Sequence, residues 1–129
     1  MKTKVLIIED NEQNMYLLTF ILEKNGFEVI QARDGKAGIE IAKNDNSFDL
    51  ILTDIQLPVM DGYTVVREIL KFPEKKDTPI IAITSYAMSG DREKALAAGC
   101  SGYITKPINP ETFIATIQEF IPKPKKEQE

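Results

Sequence analysis

The sequence predicts an α/β fold in which helices cover both faces of a parallel sheet. Three observations carry this expectation. Five short apolar runs, at residues 5–8, 27–30, 50–52, 80–83 and 103–104, broken only by Glu28, are continuous rather than alternating, as strands buried on both faces require. Longer segments of helical period lie between them. Strand and helix therefore alternate five times, which selects a single sheet joined by right-handed crossovers.

Each element has its own signal. After the first run, Met15, Leu18, Ile21 and Leu22 mark one face of a helix, and Asn25-Gly26 ends it, because glycine readily takes the left-handed conformation of a helix terminus. Ala37, Gly38, Ile41 and Ala42 repeat the pattern after the second run. A third helix starts near Asp61-Gly62, turns Val65, Val66, Ile69 and Leu70 inward, and stops before Pro73, since the residue before proline disfavours helix. The fourth spans residues 89–98 and closes at Gly99. The fifth has Asn109 as its cap and Pro110 in its first turn, burying Phe113, Ile114, Ile117, Phe120 and Ile121. No internal repeat is visible.

At 129 residues and 43% hydrophobic content, the chain has the size and core-forming capacity of one domain. We place that domain at residues 1–121, followed by a charged tail, residues 122–129, whose Lys/Glu/Gln composition predicts disorder. No apolar run reaches the roughly 18 residues that a membrane span needs, and the start of the chain lacks a signal-peptide pattern. A cytoplasmic protein without a membrane role is the expectation. A net charge of −4 and a pI near 5.0 argue against direct DNA binding, which needs a basic face. The absence of histidine removes His-based triads, His-ligated metals and a phosphohistidine acceptor. Cys100, the single cysteine, allows no disulfide or zinc site and reads as a small packing residue.

Open parallel sheets build their sites at the carboxyl ends of strands. That rule selects Glu9 and Asp10 after the first strand, Asp54 after the third, Thr84 after the fourth and Lys106 after the fifth. Carboxylates gathered in one pocket repel each other unless a cation is shared. With oxygen donors alone, that cation is Mg²⁺. A phosphoryl group suits such a pocket, because a lysine and a hydroxyl complete the neutralisation of its charge. Asp54 would then be the nucleophile, forming an acyl phosphate.

At these residues the chain resembles the receiver domains of bacterial two-component response regulators, over residues 4–121. The resemblance rests on Glu9-Asp10-Asn11, on the segment from Asp54 through Gln56, Pro58 and Asp61 to Gly62, on Ile83-Thr84-Ser85, and on Gly102-Tyr103-Ile104-Thr105-Lys106-Pro107. It implies a flavodoxin-like (βα)5 sheet, doubly wound, in the order 2-1-3-4-5. It implies that Asp54 accepts a phosphoryl group from a partner's phosphohistidine, carried by a sensor histidine kinase or a histidine phosphotransfer protein. Asp10, Asp54 and the backbone carbonyl of Gln56 would hold Mg²⁺, with Glu9 acting largely through water. Thr84 and Lys106 would bind phosphoryl oxygens. Tyr103 would swing inward with Thr84 and reshape the helix 4, strand 5 and helix 5 face for a downstream protein target. Gln56 and Tyr86 hold the positions that tune water attack, where a bulky Tyr86 would slow hydrolysis. The Lys106-Pro107 bond would be cis, against about 5% of X-Pro bonds in general. Ser85 stands where many relatives carry alanine, and its small size keeps access open. The subclass resembled is the stand-alone cell-cycle regulator, and the stretch from Ala87 to Asp91 also resembles receivers of hybrid kinases.

Plainer readings stand beside these. Asp54 also fits a loop cap, Glu9 and Asp10 also suit the positive end of the first helix dipole, and Lys106-Pro107 also fits the stop of an edge strand. Tyr103 also fits simple core packing. For function, the phosphorylation-controlled binding module competes with a phosphorelay intermediate or hybrid-kinase receiver, and with a haloacid-dehalogenase-like phosphohydrolase. The hydrolase chemistry calls for a second aspartate two residues after the first, where this chain has Gln56. The module reading expects no turnover of a separate substrate, only phosphorylation and dephosphorylation of Asp54 itself.

Overall fold

A computed structural model describes residues 2–85 and 90–121. Five strands, β1 (Lys4–Ile8), β2 (Glu28–Ala32), β3 (Leu50–Asp54), β4 (Ile80–Thr84) and β5 (Gly102–Thr105), alternate with five helices. These are α1 (Glu12–Lys24), α2 (Gly35–Asn44), α3 (Gly62–Leu70), α4 (Asp91–Ala98) and α5 (Pro110–Gln118). Every ladder is parallel and the strand order is β2-β1-β3-β4-β5. This is the doubly wound, flavodoxin-like arrangement. The order reverses at β1 and β3, so the carboxyl ends of those two strands border the crevice where such sheets bind ligands.

The sheet separates two apolar layers by the alternation of side chains along each strand. Leu6, Ile8, Ile51, Ile80 and Ala82 face one side, with Ala42 of α2, Val65, Val66 and Ile69 of α3, and Ala95 of α4. Val5, Ile7, Leu50, Leu52, Ile81 and Ile83 face the other, with Met15, Leu18 and Leu22 of α1 and Phe113 and Ile117 of α5. Burying each large apolar side chain contributes roughly 1.5–3 kcal/mol relative to exposure. The central strands β3 and β4 are buried along their whole length, so their ends are fixed points on which a site can be built.

Helix starts are set by side-chain caps that satisfy otherwise unpaired N–H groups. Asn11 accepts from Asn14 N–H at 2.9 Å, Asp34 from Ala37 at 2.7 Å, Asp61 from Thr64 at 2.9 Å and Asn109 from Glu111 at 2.9 Å. Two of these caps, Asn11 and Asp61, lie in the loops that follow β1 and β3. They therefore anchor the loop that carries Asp10 and the loop that leaves β3 after Asp54.

The structure differs from the sequence expectation in detail. β2 extends to Ala32, past the apolar run, because it is an edge strand on which Glu28 and Gln31 are exposed while pairing continues from Lys4↔Glu28 to Ile8↔Ala32. Phe27 lies just before the strand and is buried all the same. α4 is described from Asp91, after Gly90 at φ 91°, and the expected start at position 89 lies outside the described residues. A 3-10 turn at Pro73–Lys75 was not foreseen. Leu70, Ile114, Phe120 and Ile121 are half-buried rather than fully inward. The tail at 122–129 and Tyr86 also lie outside the described residues.

Candidate functional site

The strand-end residues converge as the topology dictates. Glu9 and Asp10 follow β1, Asp54 ends β3, Thr84 ends β4 and Lys106 follows β5. Glu9, Asp54 and Thr84 are buried, with Asp54 only 4% exposed, whereas Asp10 is exposed at the rim. One carboxylate oxygen from each of Glu9, Asp10 and Asp54 lies within 4.8 Å of the others. Such a cluster of hard oxygen donors, with neither sulfur nor imidazole beside it, is compatible with a divalent cation of the Mg²⁺ type.

Lys106 closes this acidic pocket. Its Nζ donates to Glu9 Oε1 at 3.1 Å and to Asp54 Oδ2 at 3.1 Å, and its side chain is 13% exposed. Burial disfavours the ammonium, but the charge of Asp54, together with the charge and hydrogen bond of Glu9, outweighs it, and the Lys106 pKa stands above its ordinary value. Glu9 is pushed the same way for a different reason. Burial raises its pKa, only partly countered by the Asn11 N–H; the nearby Asp54 charge raises it further and Lys106 lowers it, leaving it above its ordinary value. Glu9 Oε2 accepts that Asn11 N–H at 3.1 Å, so both of its oxygens have protein partners and it lies back from the rim that Asp10 occupies.

Asp54 is held by backbone as well as by charge. The Gln56 N–H donates to Asp54 Oδ1 at 3.1 Å, leaving Oδ2 for Lys106. The following loop folds back tightly, with Gly62 N–H bonded to the Ile55 carbonyl at 2.9 Å. A Cβ at Gly62 would collide with the Asp54 carbonyl oxygen and Ile55 Cα. Sequence reasoning gave Asp61-Gly62 only a turn and a helix start, yet glycine there is what lets α3 begin directly against the phosphoacceptor candidate. The signal was present in the sequence but its cause is a close approach between segments, which no local pattern reports.

Thr84 sits one residue past Ile83, the partner of Asp54 in the β3–β4 ladder. The β4–β5 ladder pairs Ala82 with Tyr103 and Thr84 with Thr105, so by the two-residue alternation Thr84, Ala82 and Tyr103 share the sheet face that α4 covers. Tyr103 is half-buried against that layer. Burial and the charge of Asp91 raise its pKa. Tyr63 on α3, which sequence reasoning passed over, packs against the same layer, and burial followed by Asp91 and Tyr103 raises its pKa too. The Lys106–Pro107 peptide bond is cis. Cys100 is buried in the α4-side layer, and burial pushes its thiol up to about 11, a packing role without reactivity. Among the described residues no helix is long and apolar enough to cross a membrane.

Comparison with known proteins agrees with this geometry. Residues 5–118 match the family model described as the response regulator receiver domain. The chain is 40% identical over 121 residues to the polar-differentiation response regulator DivK of Brucella ovis, covering 94% of this chain and 98% of that protein. It superposes on the receiver domain of a Pseudomonas aeruginosa sensor histidine kinase, solved with a magnesium ion in its active-site cleft, with TM-score 0.86 and 34% identity over 93% of this chain and 98% of that one. It also superposes on the receiver domain of Ssk1 from Saccharomyces cerevisiae, solved in complex with the histidine phosphotransfer protein Ypd1, with TM-score 0.83 and 32% identity, covering 92% and 88%.

Proposed function

The chain belongs to the response regulator receiver domain family, and from that premise we propose that Asp54 accepts a phosphoryl group from a phosphohistidine on a sensor histidine kinase or histidine phosphotransfer protein. The observation that carries this is the contact of one half-buried lysine, Lys106, with both Asp54 and Glu9, in a pocket whose next strand end presents Thr84. An Asp54 carboxylate oxygen attacks phosphorus, the new O–P bond forms as the N–P bond breaks, and the electron pair returns to the imidazole nitrogen, which takes up a proton. The carboxylates of Asp10 and Asp54, with the Gln56 backbone carbonyl, would hold Mg²⁺, and Glu9 would act on it largely through water. When bound, it supplies positive charge against the phosphoryl oxygens.

In this reading Lys106 trades its bond to Asp54 for a phosphoryl oxygen, and the Thr84 hydroxyl donates to another. Movement of Thr84 draws Tyr103 across the α4 side of the sheet, over the small Ala82, and so changes the α4, β5 and α5 face that a downstream protein reads. Receiver domains are signalling modules rather than metabolic enzymes. Return to the resting state is hydrolysis of the acyl phosphate, tuned by the side chains at Gln56 and Tyr86. A histidine-bearing partner is supported by the yeast receiver solved with a phosphotransfer protein.

Incubation with Mg²⁺ and acetyl phosphate, followed by intact mass measurement, tests the proposal. The wild type is expected to gain one phosphoryl mass, and Asp54→Asn none. A wild type that gains nothing, or an Asp54→Asn protein that gains as much, would overturn it.

A further inference from the structure

Gln56 does more in this structure than occupy a tuning position. Its side chain leaves the β3–α3 loop and bridges to the end of β4. There its Nε2 donates to Thr84 Oγ1 at 2.6 Å, and its Oε1 accepts the Ser85 N–H at 3.0 Å. One carboxamide therefore anchors a hydroxyl and takes up a backbone donor on the β4 side, while the Gln56 N–H holds Asp54 Oδ1 from the β3 side at 3.1 Å. Both bonds span long sequence separations, so the carboxamide ties two separate loops across the pocket mouth.

We propose that the Gln56 carboxamide is a latch: in the resting protein it holds Thr84 and Ser85 in place, and a phosphoryl group on Asp54 must displace it to recruit them. The inference rests on the reading of Asp54 as phosphoacceptor. The latch is neutral and the phosphoryl group is an anion, so two neutral hydrogen bonds are exchanged for charge-assisted ones, which are about twice as strong. The exchange is therefore favourable once phosphoryl is present, and unfavourable without it. That is the property of a two-state element whose equilibrium a ligand biases by differential contact. Glutamine suits the task because its carboxamide offers a donor and an acceptor together. Asparagine, one methylene shorter, would fall short of the span.

The test uses beryllofluoride with Mg²⁺ as a non-covalent phosphoryl probe on the full chain, with affinity read by NMR titration, and hydrogen exchange at the Ser85 amide measured without the probe. Gln56→Met keeps the length and the backbone carbonyl but loses both bonds. It is expected to bind the probe roughly 5- to 10-fold more tightly than wild type, the gain from removing competing neutral bonds, and to show faster Ser85 exchange. Gln56→Asn is expected to move both readouts the same way and serves if the methionine variant folds poorly. A wild type that binds the probe while both variants bind it equally or more weakly would overturn the latch and leave Asp54 as acceptor. A wild type that gains phosphoryl mass neither from acetyl phosphate nor affinity for the probe would overturn the acceptor reading, and the latch with it.

Discussion

Two lysines, one half-buried and one buried, sit at opposite ends of the sheet, and their pKa values move in opposite directions. Lys106, beyond the carboxyl end of β5, contacts two carboxylates and stands above its ordinary value. Lys75, before the amino end of β4, is 2% exposed and its Nζ donates to the Asp45 carbonyl at 2.6 Å and to Asn46 Oδ1 at 2.8 Å. Its partners are neutral, so burial lowers its pKa, only partly countered by the more distant charges of Asp45 and Glu74. The same side chain thus serves as a poised charge at one pole and as a hydrogen-bonding strut at the other. What distinguishes a site from a scaffold here is the company of full charges.

The strut pole is otherwise self-contained. Lys4 Nζ bonds Asp45 Oδ2 at 2.9 Å and Ser47 Oγ at 2.7 Å, and the Ser47 hydroxyl, then Lys4 and the Ser47 N–H, hold the Asp45 carboxyl down at about 2. The Lys4–Asp45 pair is answered locally, and Lys75 ties the α2–β3 loop to the 3-10 turn before β4. The largest effect we expect from probing the contrast is Lys75→Ala. It removes a packed aliphatic stem and two hydrogen bonds, against some relief from burying a charge, for a net loss of about 1–3 kcal/mol. A urea-unfolding midpoint checks this, and phosphoryl uptake at Asp54 should be unchanged. Loss of uptake without loss of stability would break the distinction between the poles.

The sign of the Lys75 shift gives a second handle. Its folded pKa lies below the unfolded 10.5, so between those values the unfolded chain holds more protons than the folded one. The burial penalty is therefore fully present below the folded pKa and is relieved as pH rises through that window toward 10.5. The stability of wild type minus that of Lys75→Met should climb with pH there. Asp45, held down at about 2, stays ionised throughout and does not supply the slope. A flat or falling difference would mean that Lys75 is not the desolvated cation its contacts describe.

At the other pole the expected loss is of response rather than of stability. Lys106→Ala should still gain phosphoryl mass, because the nucleophile and the other carboxylates remain. Without the cation that exchanges Asp54 for a phosphoryl oxygen, the chemical-shift changes over α4, β5 and α5 on phosphorylation should fall severalfold, on the order of the 1 kcal/mol or more that a charge-assisted hydrogen bond contributes. An undiminished response would remove Lys106 from the switch.

The two poles also differ in how far they could be read from sequence. Glu9, Asp10, Asp54, Thr84 and Lys106 were legible because a topological rule points to strand ends, and their residue types agree on one chemistry. The Asn109 cap and the helix start at Asp61-Gly62 were legible because they precede apolar periodicity, whereas the sheet order came from the family resemblance and the Asn11 and Asp34 caps were not read at all. Lys75 was not. A lysine beside Glu74 and Lys76 in a polar stretch looks solvated, and its burial depends on where the α2–β3 loop lands, a contact about thirty residues away. The Gln56 bridge to Thr84 and Ser85 was hidden in the same way, since it joins two loops whose nearness only the sheet creates. The collision that forbids a side chain at Gly62 is likewise tertiary. Long-range placement of polar side chains is what periodicity does not encode.

The smallest effect we expect concerns Val59, which sets the site pole apart in backbone conformation. It is the one non-glycine residue with positive φ among the described residues, at φ 69°, and it is fully exposed. A β-branched side chain in that region costs about 1–2 kcal/mol, and an exposed valine recovers none of it through packing. Val59→Gly removes the strain but makes the unfolded chain freer by about 0.4–1 kcal/mol. The net expectation is a gain of about 0.5–1 kcal/mol in urea unfolding. If the strain also helps hold the loop between Asp54 and Asp61 in shape, acetyl phosphate should label the glycine variant more slowly although it is more stable. A variant that is both more stable and labelled at the wild-type rate would mean that the strain at this pole is incidental to the site.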